Sequence, residues 1–240
     1  VRLIGKLDRP LAGVVLALTV YGLLTLYSAG RTDVPGPSAH LWQRQLLWLA
    51  LGVIGAVSVM RMSPRLLEWV APACYAVGLV VLVLTLAIGS GGGTASSAHS
   101  WIKVGSVRLG QPSEFVKLAL VLMLARYLAA RREPPRTLRE LIVPCLMAVV
   151  PAGLVALQPD LGSALVFGGV LFAMLYWAGV RLSLLVLLAS PLASLFLAFS
   201  VGTWAGWMLL LCVLLLVWRP FVWEGLTVLG ANLATGIVAL

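Results

Sequence analysis

Residues 66–88 read LLEWVAPACYAVGLVVLVLTLAI, an apolar run whose single charge, Glu68, lies near its start. An α-helix rises about 1.5 Å per residue, so a run of this length crosses the ~30 Å hydrocarbon layer of a bilayer. Eight further stretches on either side have the same character: Leu11–Ser28, Gln45–Met60, Glu114–Ala129, Leu141–Leu157, Gly162–Val180, Leu182–Ser200, Ala205–Trp218 and Phe221–Leu240. Across the 240 residues, 61% are hydrophobic and 10% charged, whereas a soluble domain has roughly 45–50% and 25%. A single core cannot enclose such a majority. The expected fold is all-α, a polytopic transmembrane helix bundle of about nine spans with its N-terminus cytoplasmic. One transmembrane domain is expected over 1–240, with an extracytoplasmic loop at 89–113 and a basic cytoplasmic loop at 130–140. The composition excludes a disordered chain, a disulfide scaffold and a nucleic-acid-binding domain. Cys74, Cys145 and Cys212 each sit in an apolar run without metal-site or pair spacing, and read as core residues.

The net charge of +9 suggests nucleic acid in a soluble protein, but topology in a membrane protein. With the N-terminus inside, twelve basic residues face the cytoplasm: Arg2, Lys6, Arg9, Arg61, Arg65, Arg126, Arg131, Arg132, Arg136, Arg139, Arg181 and Arg219. Four face outward: Arg31, Arg44, Lys103 and Arg108. That bias obeys the positive-inside rule and absorbs most of the charge. Membrane lipids are therefore partners, and anionic headgroups alone explain the basic loop at 130–140.

A few ionisable residues remain, and each costs about 2.5–3.5 kcal/mol in hydrocarbon unless it has a partner or a task. Glu114 and Lys117 share a helix face at i, i+3. They are either a structural ion pair or part of a polar cavity for a charged headgroup. Gln111-Pro112-Ser113 precedes them, and Ser113 is the expected N-cap of that helix. Asp160 lies between Gln158-Pro159 and Leu161-Gly162-Ser163, where Pro and Gly predict a helix break. Asp160 either lines a cavity there or caps a helix at the interface. Glu68 and Glu224 are accounted for by snorkelling and local Arg pairing. In the loop 89–113, a glycine run is followed by Trp101, Lys103 and Arg108. Outside cations beside an aromatic suit an anionic, sugar-bearing headgroup, and a solvated hairpin on the membrane is the other reading. His40 and His99 are isolated, and no metal site is identified.

Taken in order, Leu7-Asp8, Tyr27-Ser28-Ala29-Gly30, Ser100-Trp101-Ile102-Lys103, Val107-Arg108, Gln111-Pro112-Ser113-Glu114-Phe115-Val116-Lys117-Leu118 and Leu157-Gln158-Pro159-Asp160-Leu161-Gly162-Ser163 resemble the SEDS family of RodA/FtsW-type membrane proteins. The likeness runs to about Val180, and the short N-terminal tail is more similar to RodA members. The resemblance implies a peptidoglycan glycosyltransferase of the bacterial inner (cytoplasmic) membrane that polymerises lipid II during cell-wall elongation and cell-shape maintenance, beside a class B penicillin-binding protein. It implies a substrate groove holding Trp101, Lys103, Arg108, Gln111, Ser113, Glu114, Lys117 and Asp160. It also implies ten spans and a long extracellular loop bearing the catalytic acidic residue. No such loop is found here, so that residue is expected beyond Leu240 and no catalytic residue is assigned. No cofactor is identifiable, although a divalent cation such as magnesium or manganese could help the diphosphate depart. The alternatives are a flippase for the lipid-linked precursor and a membrane scaffold that recruits the transpeptidase.

Overall fold

The computed structural model describes residues 8–31, 41–89, 101–104, 107–218 and 220–239, without the side chains of Ile88 and residues 102–109. Arg2, Lys6, His40, His99 and Arg219 lie outside the described residues. Nine helices occur among the described residues: α1 (Arg9–Gly30), α2 (Leu41–Arg61), α3 (Pro64–Ile88), α4 (Pro112–Ala129), α5 (Leu138–Ala156), α6 (Leu161–Trp177), α7 (Leu182–Leu197), α8 (Val201–Trp218) and α9 (Val222–Ala239). Each corresponds to one expected span, so the all-α bundle is the observed fold. Six of the nine (α1, α2, α3, α5, α8 and α9) are long and apolar enough to cross a membrane by length and composition. A two-stranded antiparallel hairpin, β1 (Ile102–Val104) and β2 (Val107–Gly110), precedes α4.

The chain divides into two compact units, residues 1–67 and 68–240. In the first, Asp8 caps α1 by accepting the Leu11 amide at 3.2 Å, and a proline stands in the first turn. Proline there sacrifices no helical hydrogen bond. Tyr27 and Trp42 meet edge to face at 5.8 Å, and the Arg31 guanidinium lies 4.7 Å from the Tyr27 ring centroid. Neither α1 nor α2 buries a single residue. Helices this apolar and this exposed suit a lipid solvent, and their backbone groups are satisfied within the helix as such a solvent demands.

The second unit holds the core. Leu82 of α3, Val116, Leu120 and Leu124 of α4, Leu141, Ala148 and Val155 of α5, and Phe167, Leu171 and Leu175 of α6 form one buried cluster. Gly78 of α3 permits the approach of α4, because a Cβ there would stand 2.9 Å from Val116 Cγ2. The Tyr75 hydroxyl donates to the Met147 carbonyl at 2.8 Å, tying α3 to α5. The expected span to Val180 stops earlier. Gly179, at φ +84°, turns the chain after Trp177, and the Val180 amide closes on the Leu175 carbonyl at 3.1 Å. That left-handed position is readily adopted by glycine alone.

A smaller cluster of Leu187, Leu211 and Val228 joins α7, α8 and α9, and a buried polar network joins them too. Asn232 is fully buried, donates to Ser190 Oγ and the Val228 carbonyl at 2.8 Å each, and accepts from Trp207 Nε1 at 3.2 Å. Ser194 Oγ donates to the Asn232 carbonyl at 2.9 Å and accepts from Trp204 Nε1 at 2.8 Å. Small and hydroxylic residues let helices approach closely and bond across a membrane interior.

Glu224 takes a partner beyond the expected Arg219, which lies outside the described residues. The glutamate is buried, and its carboxylate accepts the Leu138 amide at 2.7 Å, capping α5 from the first turn of α9. The α5 N-cap residue, Thr137, makes no side-chain cap bond of its own, so the free amide is served from elsewhere in the fold. Glu224→Ala is expected to cost about 1–2 kcal/mol, read as a lower unfolding midpoint in detergent. Glu224→Gln keeps an acceptor and should retain most of the stability. Equal losses in the two variants would refute the capping role.

Candidate functional site

The polar residues that topology leaves unexplained gather where α4 begins and where α5 passes into α6. β2 ends at Gly110, whose φ of +136° aims the chain into α4. Gln111 follows in extended conformation as the N-cap, with Pro112 in the first turn. This corrects the expectation for Ser113. Proline is preorganised for the first helical position and leaves the residue before it extended, so the cap falls to Gln111. Ser113 lies two residues past the cap, buried, and its Oγ finds no hydrogen-bond partner among the described residues.

Gln111 makes no cap bond, and its amide instead reaches across the bundle. Its Nε2 donates to Asp160 Oδ2 at 2.5 Å and to Ser163 Oγ at 3.3 Å. Asp160 uses its other oxygen, Oδ1, to accept the Ser163 amide at 3.0 Å as the N-cap of α6. The one side chain of Asp160 thus caps a helix and bonds to a second polar group. The expected helix break is present, with α5 ending at Ala156 and α6 beginning at Leu161. Gln158 anchors the break: it is buried and donates to the Leu82 carbonyl of α3 at 3.1 Å.

Glu114 and Lys117 form the expected pair on the first turns of α4, with Lys117 Nζ 2.6 Å from Glu114 Oε1. Their environments differ: the lysine side chain is 17% exposed and the carboxylate 61%. The sheltered member is the cation, which suits it to meet an anion, while the carboxylate remains available to water. The negative end of the pair also lies in the first turn of a helix, where the dipole favours it.

The structure thus unites Gln111, Asp160 and Ser163 in one bonded cluster and Glu114 with Lys117 in another. Trp101 precedes β1, and Lys103 and Arg108 are paired in register across the hairpin, but the last two side chains lie outside the described residues. Ser163 and Gln158 were not singled out from sequence, although both belong to the Gln158–Ser163 motif; only their bonding partners reveal their roles. Among the described residues no group of three His, Cys, Asp or Glu is placed to hold a metal ion.

Fold and site together define a multi-pass membrane protein with a polar cluster built on the ends of its helices. The family model FtsW/RodA/SpoVE, described as cell cycle protein, matches residues 9–204, and the chain belongs to that family. A probable peptidoglycan glycosyltransferase FtsW of Mycobacterium tuberculosis is 35% identical over 195 residues, 79% of this chain and 37% of the relative. The rod shape determining protein RodA of Thermus thermophilus superposes with a TM-score of 0.63 at 33% identity, covering 75% of this chain and 57% of that one. A chain of a peptidoglycan synthase complex, described as coordinating polymerization and crosslinking, gives a TM-score of 0.52 at 33% identity over 66% of this chain and 44% of its own. The chain therefore spans well under half the length of its FtsW relative. Similarity to FtsW and to RodA is nearly equal, so identity does not carry the RodA leaning of the N-terminal tail.

Proposed function

We propose that this chain is part of a peptidoglycan glycosyltransferase of the bacterial cytoplasmic membrane that polymerises lipid II, working with a class B penicillin-binding protein. The observation that supports this most is the sheltered Lys117 beside Glu114, together with the Gln111–Asp160–Ser163 cluster, at the ends of helices otherwise apolar on their exposed faces. Chain growth requires a sugar hydroxyl to attack an anomeric carbon while a lipid diphosphate leaves. A carboxylate must take the hydroxyl proton, and cations must balance the diphosphate as it departs. Lys117 supplies one such cation, and Lys103 and Arg108 of the hairpin would supply others. Asp160 and Gln111 hold the α4 and α6 starts together, so that Lys117 is presented at a fixed depth. Similarity to a chain of the synthase complex supports the transpeptidase partner. Elongation, the finer assignment, rests on the RodA match in fold; depletion that rounds rod-shaped cells would support it, and filamentation would favour division.

The test uses the full-length protein with its transpeptidase and labelled lipid II in detergent, where no leaflets exist. Glycan polymer is the expected product, and Lys117→Ala should slow it at least about tenfold through loss of one charge contact. Absence of polymer, with transbilayer movement of lipid II in liposomes, would overturn the proposal in favour of a flippase.

A further inference from the structure

Two cavities in the second unit meet between α7 and α9, and the second extends along α5. The first, of about 370 Å³, lies at the end of the bundle that the charge count places in the cytoplasm, and is lined by Arg136, Arg181, Ser183, Trp218, Phe221 and Glu224. The second, of about 310 Å³, is lined by Leu138, Ile142, Cys145, Leu146, Val149 and Pro191 among others. Leu187 lines both. Leu138 in the wall of the second gives its amide to Glu224 in the wall of the first, so the polar cavity ends where the apolar one begins.

We infer that the paired cavities form a binding site for one anionic glycerophospholipid of the cytoplasmic leaflet, its phosphate at Arg136 and Arg181 and one acyl chain along the apolar groove. The polar cavity is lined by the first turns of α7 and α9, whose dipoles favour negative charge. Two arginines and one glutamate line this cavity, and the glutamate's carboxylate is occupied by the Leu138 amide. Arg136 also pairs with Glu133 at 3.0 Å, both exposed, and a phosphate can share the fork of five donors that arginine presents. Trp218 and Phe221 line the same cavity and are exposed, and aromatic side chains prefer the headgroup level. The groove opens sideways, since Ile142, Leu146 and Val149 are more than half exposed, and an acyl chain can enter from the bilayer. Continuity between a cationic head cavity and an apolar groove identifies a lipid, because a free phosphate would use only the first. The site lies away from Gln111, Asp160 and Lys117, at the opposite ends of the helices, and does not depend on the proposed polymerase activity.

The full-length protein, exchanged in detergent into phosphatidylglycerol or phosphatidylcholine, is examined by native mass spectrometry for retained lipid. Wild-type protein should retain phosphatidylglycerol about tenfold better, as expected for two arginines near a headgroup. The preference should vanish in Arg136→Gln/Arg181→Gln and persist in Arg136→Lys/Arg181→Lys. Glycerol 3-phosphate, which lacks acyl chains, should not displace the bound lipid. No preference in the wild-type protein would overturn the inference even if the double variant fails to fold. So would retention of the preference in the glutamine variant, or equal competition by glycerol 3-phosphate.

Discussion

Asp160→Ala in the full-length protein is expected to lower the rate of lipid II polymerisation about 100-fold, the scale on which misplaced binding groups slow a bound reaction. The reason is that Asp160 serves two elements at once. It caps α6 through the Ser163 amide and holds Gln111 at the start of α4. Its removal frees both helix starts from one another and leaves the Gln111 amide facing only Ser163 Oγ. The loss of a cap alone costs about 1 kcal/mol, so the protein should still fold. Asp160→Asn separates geometry from charge: its carbonyl oxygen can cap α6 while the Gln111 amide turns to accept from its nitrogen. If Asp160 acts as a positioning residue, the Asn variant keeps most of the rate and only the Ala variant loses it. Equal loss in both would assign the effect to the negative charge. Full activity in both would remove Asp160 from the site.

The second large effect is expected outside the site, at Gly236. A Cβ on that residue would overlap the indole of Trp204 at Nε1 and Cε2. The ring cannot simply move aside, because Nε1 donates to Ser194 Oγ, which in turn donates to the Asn232 carbonyl. Gly236→Ala therefore forces either the helix or the indole to shift, at a cost of about 1–3 kcal/mol, as for overpacked cores. The shift should also break the buried network, so thermal unfolding in detergent is expected to begin in α7–α9. Trp204→Ala combined with Gly236→Ala should be more stable than the sum of the single changes, with a coupling of about 1–2 kcal/mol. Additive losses would show that the two residues do not compete for the same space.

Much of the architecture is legible along the chain because the bilayer imposes it locally. Twenty or so apolar residues form a helix in lipid whatever their neighbours do, since the backbone must satisfy itself within the segment. All nine helices therefore lie on the stretches that hydropathy marks out, from Leu11–Ser28 to Phe221–Leu240. The same locality made the helix break near Pro159 and the Glu114–Lys117 pair readable, one being set by adjacent residues and the other by a spacing of three. It also explains the error at Ser113, where the serine drew attention while the neighbouring proline decided the cap.

Partner choice is another matter. α4, α6 and α8 are apolar almost evenly around their circumference, so no amphipathic stripe announces which face turns inward. The bonds that build the site and lock the bundle join residues far apart: Gln111 to Asp160, 49 positions away; Leu138 to Glu224, 86 away; Ser190 to Asn232, 42 away. In hydrocarbon an unpaired polar group has no water to turn to, so each such residue must find one particular partner. The chain alone establishes that these groups need partners and roughly at what depth they lie. Only the packing of α3 through α9 decides that Asp160 meets Gln111, that Glu224 caps α5, and that Arg136 and Arg181 line one cavity, because helix contact selects partners by shape and not by order along the chain.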